Sequence, residues 1–326
     1  MDPRLGTAIV VLVGVPAVLV GYIYATELLL RLVPEGIRGK ARPWLWLLPA
    51  FALLFVFLIY PTIGTIIRAF QNNAGTAFIG FENFTWFFSS NESLIALRNN
   101  FLWVVLLTAI TVGVGLLIAV LVDRVRYESI AKSVIFVPLA ISMVAAGVIW
   151  KFMYDFQGRT GAEQTGTVNA VLGIFGLGPV PILQTSAFAL NTIALIVVMA
   201  WMWTGFAMVI ISAALKGISA ELLEAARVDG ATEWQVFRRI VFPLLTPTLA
   251  VVSTTIVITA LKTFDIVYVM TGGQYDTTVV AKLMYDEMFS FNEFGRASAL
   301  AVILLLAIVP VMFLNINRFR AQEAVR

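Results

Sequence analysis

The chain has 326 residues, 60% of them hydrophobic and 13% charged, with a mean hydropathy of +0.93 and a formal net charge of +3. Soluble domains are about half apolar and about a quarter charged, so this composition is that of a polytopic membrane protein, and so small a charge argues against a nucleic-acid partner. The chain has no Cys and no His, which excludes disulfides, thiolate chemistry, His-bearing metal sites and every His-based triad; no metal or cofactor is expected.

Seven apolar runs are long enough to cross a bilayer, at about 20 residues each. They are Leu5–Leu30, Trp44–Ile67, Asn100–Val122, Lys132–Met153, Ala187–Leu215, Pro243–Met270 and Ala297–Ile316. The predicted fold is therefore all-α. The first run follows a single Arg and exceeds the apolar core of a signal peptide, so it reads as a retained span. The fifth is long for a bilayer and is expected to tilt or project into water.

Orientation follows from the basic residues between the runs. With the N-terminus outside, fourteen lie on the cytoplasmic side: Arg31, Arg38, Lys40, Arg42, Arg124, Arg126, Lys132, Lys216, Arg227, Arg238, Arg239, Arg318, Arg320 and Arg326. Five lie outside: Arg4, Arg98, Arg159, Lys282 and Arg296. The C-terminus is then cytoplasmic. Two outer loops are long, at about 71–98 and 154–186. The second carries NAVLGIFGLGPVPIL at Asn169–Leu183, which fits a short interfacial helix ended at Gly176 and Gly178. It reads either as a loop resting on the membrane or as a docking surface for an outer partner.

Between the fifth and sixth runs lies EAARVDGATEWQVFRRIVFPLLTP, Glu224–Pro247. It reads as two short helices. Ser219 is placed to cap the first, with Glu221 and Glu224 near its positive end. Asp229-Gly230 is a stop, since Gly takes the left-handed conformation without penalty. Thr232 and Gln235 have the spacing of a capping box. Pro243 and Pro247 fall at the start of the next span, where a missing N–H costs least. Ala225, Ala226 and Ala231 are small enough for a helix to lie close in another protein's groove.

The fifth run holds Trp201, Met202, Trp203, Thr204 and Phe206, and the sixth holds Lys262 and Asp265. Aromatic faces and Thr hydroxyls together suit a ligand that has both C–H faces and hydroxyls. The five residues of the fifth run cannot all point one way around a helix, so some pack elsewhere. Lys262 and Asp265, one turn apart, form either a self-paired set near the outer end of the span or a substrate contact.

The spacing of Glu224-Ala225-Ala226, Gly230 and Ile240-Val241-Phe242-Pro243 resembles the EAA loop of permease subunits of bacterial ABC importers, E-A-A-x3-G-x9-I-x-L-P. Phe242 stands where Leu is usual and keeps the apolar role. The resemblance runs from about Pro49 to Arg320 and includes IYPTIGTIIRAF, FIGFENFTWFF, MTGG and FGRASALAVILLL. These segments are similar to carbohydrate-importer permeases of the maltose-permease branch. GGQYDTT at Gly272–Thr278, where many relatives have GGGP, resembles α-glucoside permeases.

The resemblance implies a six-helix core within residues 44–326, an added span and loop at 1–43, and an EAA loop at 217–247. It implies a site in the bacterial inner membrane and several partners: a second permease subunit, a separate ATP-binding subunit or subunits, and an extracytoplasmic sugar-binding protein. Glu224, Ala225, Ala226, Asp229, Gly230 and Ala231 would contact the ATP-binding subunit. By position, Met202, Trp203, Phe206, Thr259, Ala260 and Thr263 would meet the sugar. Nothing matches G-x4-G-K-[ST]; the nearest, Gly39-Lys40-Ala41, lacks the first Gly and the hydroxyl, so ATP hydrolysis is assigned to another subunit. Three other readings stand beside this one: a secondary carrier or channel working alone, a membrane-embedded enzyme built on Asp265, and an ABC permease for a non-sugar substrate.

Overall fold

The computed structural model describes residues 3–123, 125–158 and 164–323. The predicted positions of Arg124, Arg159 and Arg326 lie outside the described residues, as do the side chains of Arg4, Arg318 and Arg320. Regular structure among the described residues is helical, apart from one isolated bridge between Gln71 and Phe78. Among the described residues six helices are long and apolar enough to cross a membrane, or seven when a bent pair counts as one span. The chain divides into two units, 1–65 and 66–326.

The first unit holds α1 (Pro3–Leu32) and most of α2 (Glu35–Ala69). Pro34 separates them, because the residue before a proline disfavours helix. Arg38 Nε donates to Leu30 O at 2.9 Å and ties off the end of α1. Arg42 pairs with Glu27 at 2.8 Å, and Tyr22 meets Trp46 edge-on at 6.2 Å. Helix α2 begins at Glu35, well before the predicted Trp44, with the Glu35 carboxylate in its first turn where the helix dipole favours it.

The second unit follows with α3 (Glu82–Ser89), α4 (Asn91–Val122), α5 (Glu128–Ala140) and α6 (Met143–Met153). Then come α7 (Thr167–Ile174), α8 (Ala187–Lys216), α9 (Ala220–Val228), α10 (Glu233–Leu261), α11 (Asp265–Met270), α12 (Val280–Tyr285) and α13 (Phe294–Glu323). Helix α8 is the axis of the core. Leu195, Ile196, Val198, Met199, Met202, Met208 and Ile211 are buried on several of its faces, as expected of a helix surrounded by others. Glycines let its neighbours approach to backbone distance. A Cβ on Gly115 of α4 would stand 2.8 Å from Ala207 Cβ, and one on Gly205 would stand 2.5 Å from Ile135 O of α5.

Two predicted spans are broken. The fourth is not one rod: α5 and α6 meet at 98°. Pro138 cannot donate a backbone hydrogen bond at that point, and Ser142 starts a new helix by accepting from Ala145 N at 3.1 Å. The sixth ends at Leu261 and not at Met270, and Asp265 in the first turn of α11 begins a separate helix. The predicted shared face of Lys262 and Asp265 is therefore absent, and no ion pair joins them among the described residues.

Buried asparagines hold the loops between these helices. Asn99 Nδ2 donates to Asp276 O at 2.6 Å and Thr278 O at 2.7 Å. Asn100 Oδ1 accepts from Val280 N at 2.8 Å, and Asn191 Nδ2 donates to Tyr275 O at 2.6 Å. Asn169 fixes the outer loop by donating to Asp155 O at 3.0 Å and accepting from Val180 N at 2.8 Å. In that loop α7 is the predicted short helix, and Gly176 (φ 71°) ends it.

Candidate functional site

Two places gather the residues singled out in the sequence. The first is the turn from α9 into α10. Ser219 occupies the cap position of α9, although its side chain makes no capping bond. At the other end Gly230 takes φ 81°. Its N–H donates to Arg227 O at 3.0 Å and Ala231 N–H donates to Ala226 O at 3.0 Å, which together form a Schellman stop. Thr232 then opens α10 through a complete capping box. Thr232 N donates to Gln235 Oε1 at 2.8 Å and Gln235 N to Thr232 Oγ1 at 3.3 Å.

Leu223 and Val236 anchor the pair of helices from below, being nearly buried. Glu224, Ala225, Asp229 and Gly230 face outward, while Ala226 and Ala231 are half-buried within the stop. Three apolar side chains are left in the open: Val228 is 87% exposed, Trp234 67% and Leu222 46%. The Glu233 carboxylate, hydrogen-bonded to Arg227, raises that guanidinium above its ordinary pKa. Past this turn α10 runs without interruption into the membrane, so Pro243 and Pro247 lie inside a continuous helix. A π-turn at Phe237–Val241 precedes them and absorbs the missing donor.

The second place is a cavity of about 280 Å³ among α6, α8 and the break after α10. Trp203, Thr259 and Thr263 line it, with Lys262, Asp265 and Met199. Trp203 Nε1 is buried and has no hydrogen-bond partner. The Thr hydroxyls already donate within the helix: Thr259 Oγ1 to Thr255 O at 2.9 Å, Thr263 Oγ1 to Thr259 O at 3.3 Å. They retain lone pairs, so this wall offers an indole ring, acceptors from threonine, an ammonium and a carboxylate.

Met202 is buried and lines no part of this cavity. Phe206 stacks edge-on against Trp203 at 5.5 Å and stands behind it. Met143 and Phe264 also form walls. Their positions follow from the two helix breaks, which the hydrophobic pattern did not signal.

Residues 111–318 match the family described as "Binding-protein-dependent transport system inner membrane component". The "Osmoprotective compounds uptake permease protein GgtC" of Synechocystis is 53% identical over 86% of this chain and 100% of its own length. The "Alpha-glucoside transport system permease protein AglF" of Rhizobium meliloti is 44% identical over 86% of this chain and 83% of its own. A solved bacterial ABC transporter involved in the import of the acidic polysaccharide alginate superposes with a TM-score of 0.75. It is 26% identical, over 88% of this chain and 98% of that one. With its multi-pass helical core and its capped EAA turn, the chain belongs to the family of binding-protein-dependent transport system inner membrane components.

Proposed function

We propose that this chain is one of two permease subunits of an ATP-driven importer, and that its cargo is a sugar of the α-glucoside class delivered by an extracytoplasmic binding protein. The observation that carries the reading is the turn from α9 to α10. It is held by a Schellman stop and a capping box, yet it leaves Val228, Trp234 and Leu222 exposed. An apolar surface on a rigid, water-facing turn is an interface awaiting a partner. That partner is a separate ATP-binding subunit, and Glu224, Ala225, Asp229 and Gly230 contact it. Ala226 and Ala231 hold the turn in shape. A secondary carrier working alone has no use for such a surface.

The sugar class rests on two supports. The relatives at 53% and 44% identity are named for osmoprotective compounds and for α-glucosides, and the cavity combines an indole face with threonine acceptors and two charged groups. Trp203, Thr259 and Thr263 meet the sugar directly, and Phe206 keeps Trp203 in place. The N-terminus lies outside and the C-terminus in the cytoplasm. Residues 44–326 form the permease core and 1–43 an added span.

ATP-driven closure of the partner moves the turn, and α10 carries that movement to Thr259 at its far end. Purification from the native membrane tests the reading. A second permease and an ATPase should co-purify, and the reconstituted complex should take up labelled α-glucoside only with ATP and binding protein. Uptake by this chain alone in liposomes would favour a secondary carrier.

A further inference from the structure

We propose that four aromatic rings, Phe264, Tyr268, Tyr285 and Phe289, form a track that passes the sugar between the outer mouth of the protein and the cavity beside Trp203. The proposal rests on the sugar-importer reading above. The rings touch one after another. Phe264 is a wall of the cavity and stacks on Tyr268, with centroids 5.2 Å apart and planes at 24°. Tyr285 meets both, at 5.3 and 5.4 Å, and Phe289 follows at 4.9 Å. Four separate elements supply them: the break after α10, then α11, α12 and the π-turn Asp286–Ser290.

The track leads away from the cavity toward the 71–98 segment. Just beyond Phe289 the chain enters α13, where Phe294 N donates to Asn73 Oδ1 at 2.8 Å. Its rings are not consumed by the core, since Tyr268 is 45% exposed and Phe289 64%.

Rings exposed to lipid would have apolar neighbours. These have charged ones. Lys282 Nζ lies 5.8 Å from the Tyr268 ring centroid and donates to Asp286 Oδ1 at 2.6 Å. Lys262 and Asp265 stand at the cavity end. Lys282 is buried and paired with Asp286, and Lys262 and Asp265 line the cavity; ionisable groups in a membrane protein pair in this way or face a cavity, and do not face hydrocarbon. A ring face beside a carboxylate, an ammonium and two phenols suits a pyranose, whose C–H faces stack while its hydroxyls bond. The break at Lys262–Phe264 is what turns Phe264 from the cavity wall to the foot of the track.

The test uses the complete complex, with both permeases, the ATPase and the binding protein in proteoliposomes, and radiolabelled trehalose and sucrose as probes. Tyr268→Leu and Phe289→Leu should each lower the sugar moved per ATP hydrolysed by about two- to tenfold, the range expected for losing one aromatic contact. Phe289→Trp, which keeps a ring face, should retain the wild-type ratio. Both positions are exposed, so the leucine variants are expected to fold. Leucine variants that match the wild type would overturn the track while leaving the sugar reading intact. So would a Phe289→Trp variant as impaired as Phe289→Leu, since that outcome means packing and not stacking. If the wild type, with working ATP hydrolysis, moves neither sugar, the α-glucoside reading fails and the track goes with it.

Discussion

Arg227 grips Glu233 at two points, Nε to Oε1 at 2.7 Å and Nη2 to Oε2 at 3.2 Å, and so closes the turn between α9 and α10 over Gly230. An exposed ion pair adds at most about 1 kcal/mol. Its contribution here is angular. With the Schellman stop on one side and the capping box on the other, it fixes the direction in which Val228 and Trp234 point.

The conformation of Gly230 gives the first prediction. Proline holds φ near about −65° and has no N–H, so Gly230→Pro loses both the left-handed turn and the bond to Arg227 O. Glu224→Lys reverses a charge on the exposed face. Both variants should insert into the membrane and fail in transport. Uptake and sugar-stimulated ATP hydrolysis by the assembled complex are the measurements, and normal values for both variants would remove the coupling role.

Asn99 gives the second. It is fully buried and holds two carbonyls, Asp276 O and Thr278 O, in a loop where Tyr275 and Asp276 are left-handed. Asn99→Ala leaves both without a donor, at about 1–3 kcal/mol each. The melting temperature of the purified protein in detergent should drop by several degrees. An unchanged melting curve would show that the loop is held by other means.

The third concerns the cavity. Trp203→Ala removes a ring wall and the unpartnered indole N–H, and Thr263→Val removes an acceptor at nearly constant shape. An unpaired sugar hydroxyl costs about 1–3 kcal/mol, so uptake by Thr263→Val should weaken by about tenfold. Transport kinetics on the two variants decide it, and wild-type rates in both would leave these residues as packing.

Topology gives the fourth. A reporter fused after Arg326 or within 227–239 should read cytoplasmic, and one within 158–178 external. The basis is the excess of Lys and Arg on one side. A cytoplasmic reading at 158–178 would overturn the seven-span arrangement.

What the sequence made legible was local. Apolar runs located the spans, and the spacing Asp229-Gly230 and Thr232-x-x-Gln235 located the stop and the capping box. What it hid was relational. Asn99 and Thr278 are 179 positions apart, and no short pattern announces such a contact. The end of α10 was hidden because apolar residues flank Lys262–Asp265 on both sides, so the whole run keeps the length and composition of a span. The phase of Trp203, Phe206 and Met202 around α8 depends on which neighbours surround that helix, so all three looked alike until α6 and α10 were in place.

The close approach at Gly115 and Gly205 has a mechanical consequence. Where backbones touch, sliding one helix past another meets steric overlap, which favours α4, α5 and α8 moving as one body. The helix breaks at Ile141–Ser142 and at Lys262–Phe264 are the natural joints of such a body. The second of these joints forms part of the cavity wall, so flexing it reshapes the cavity beside Trp203.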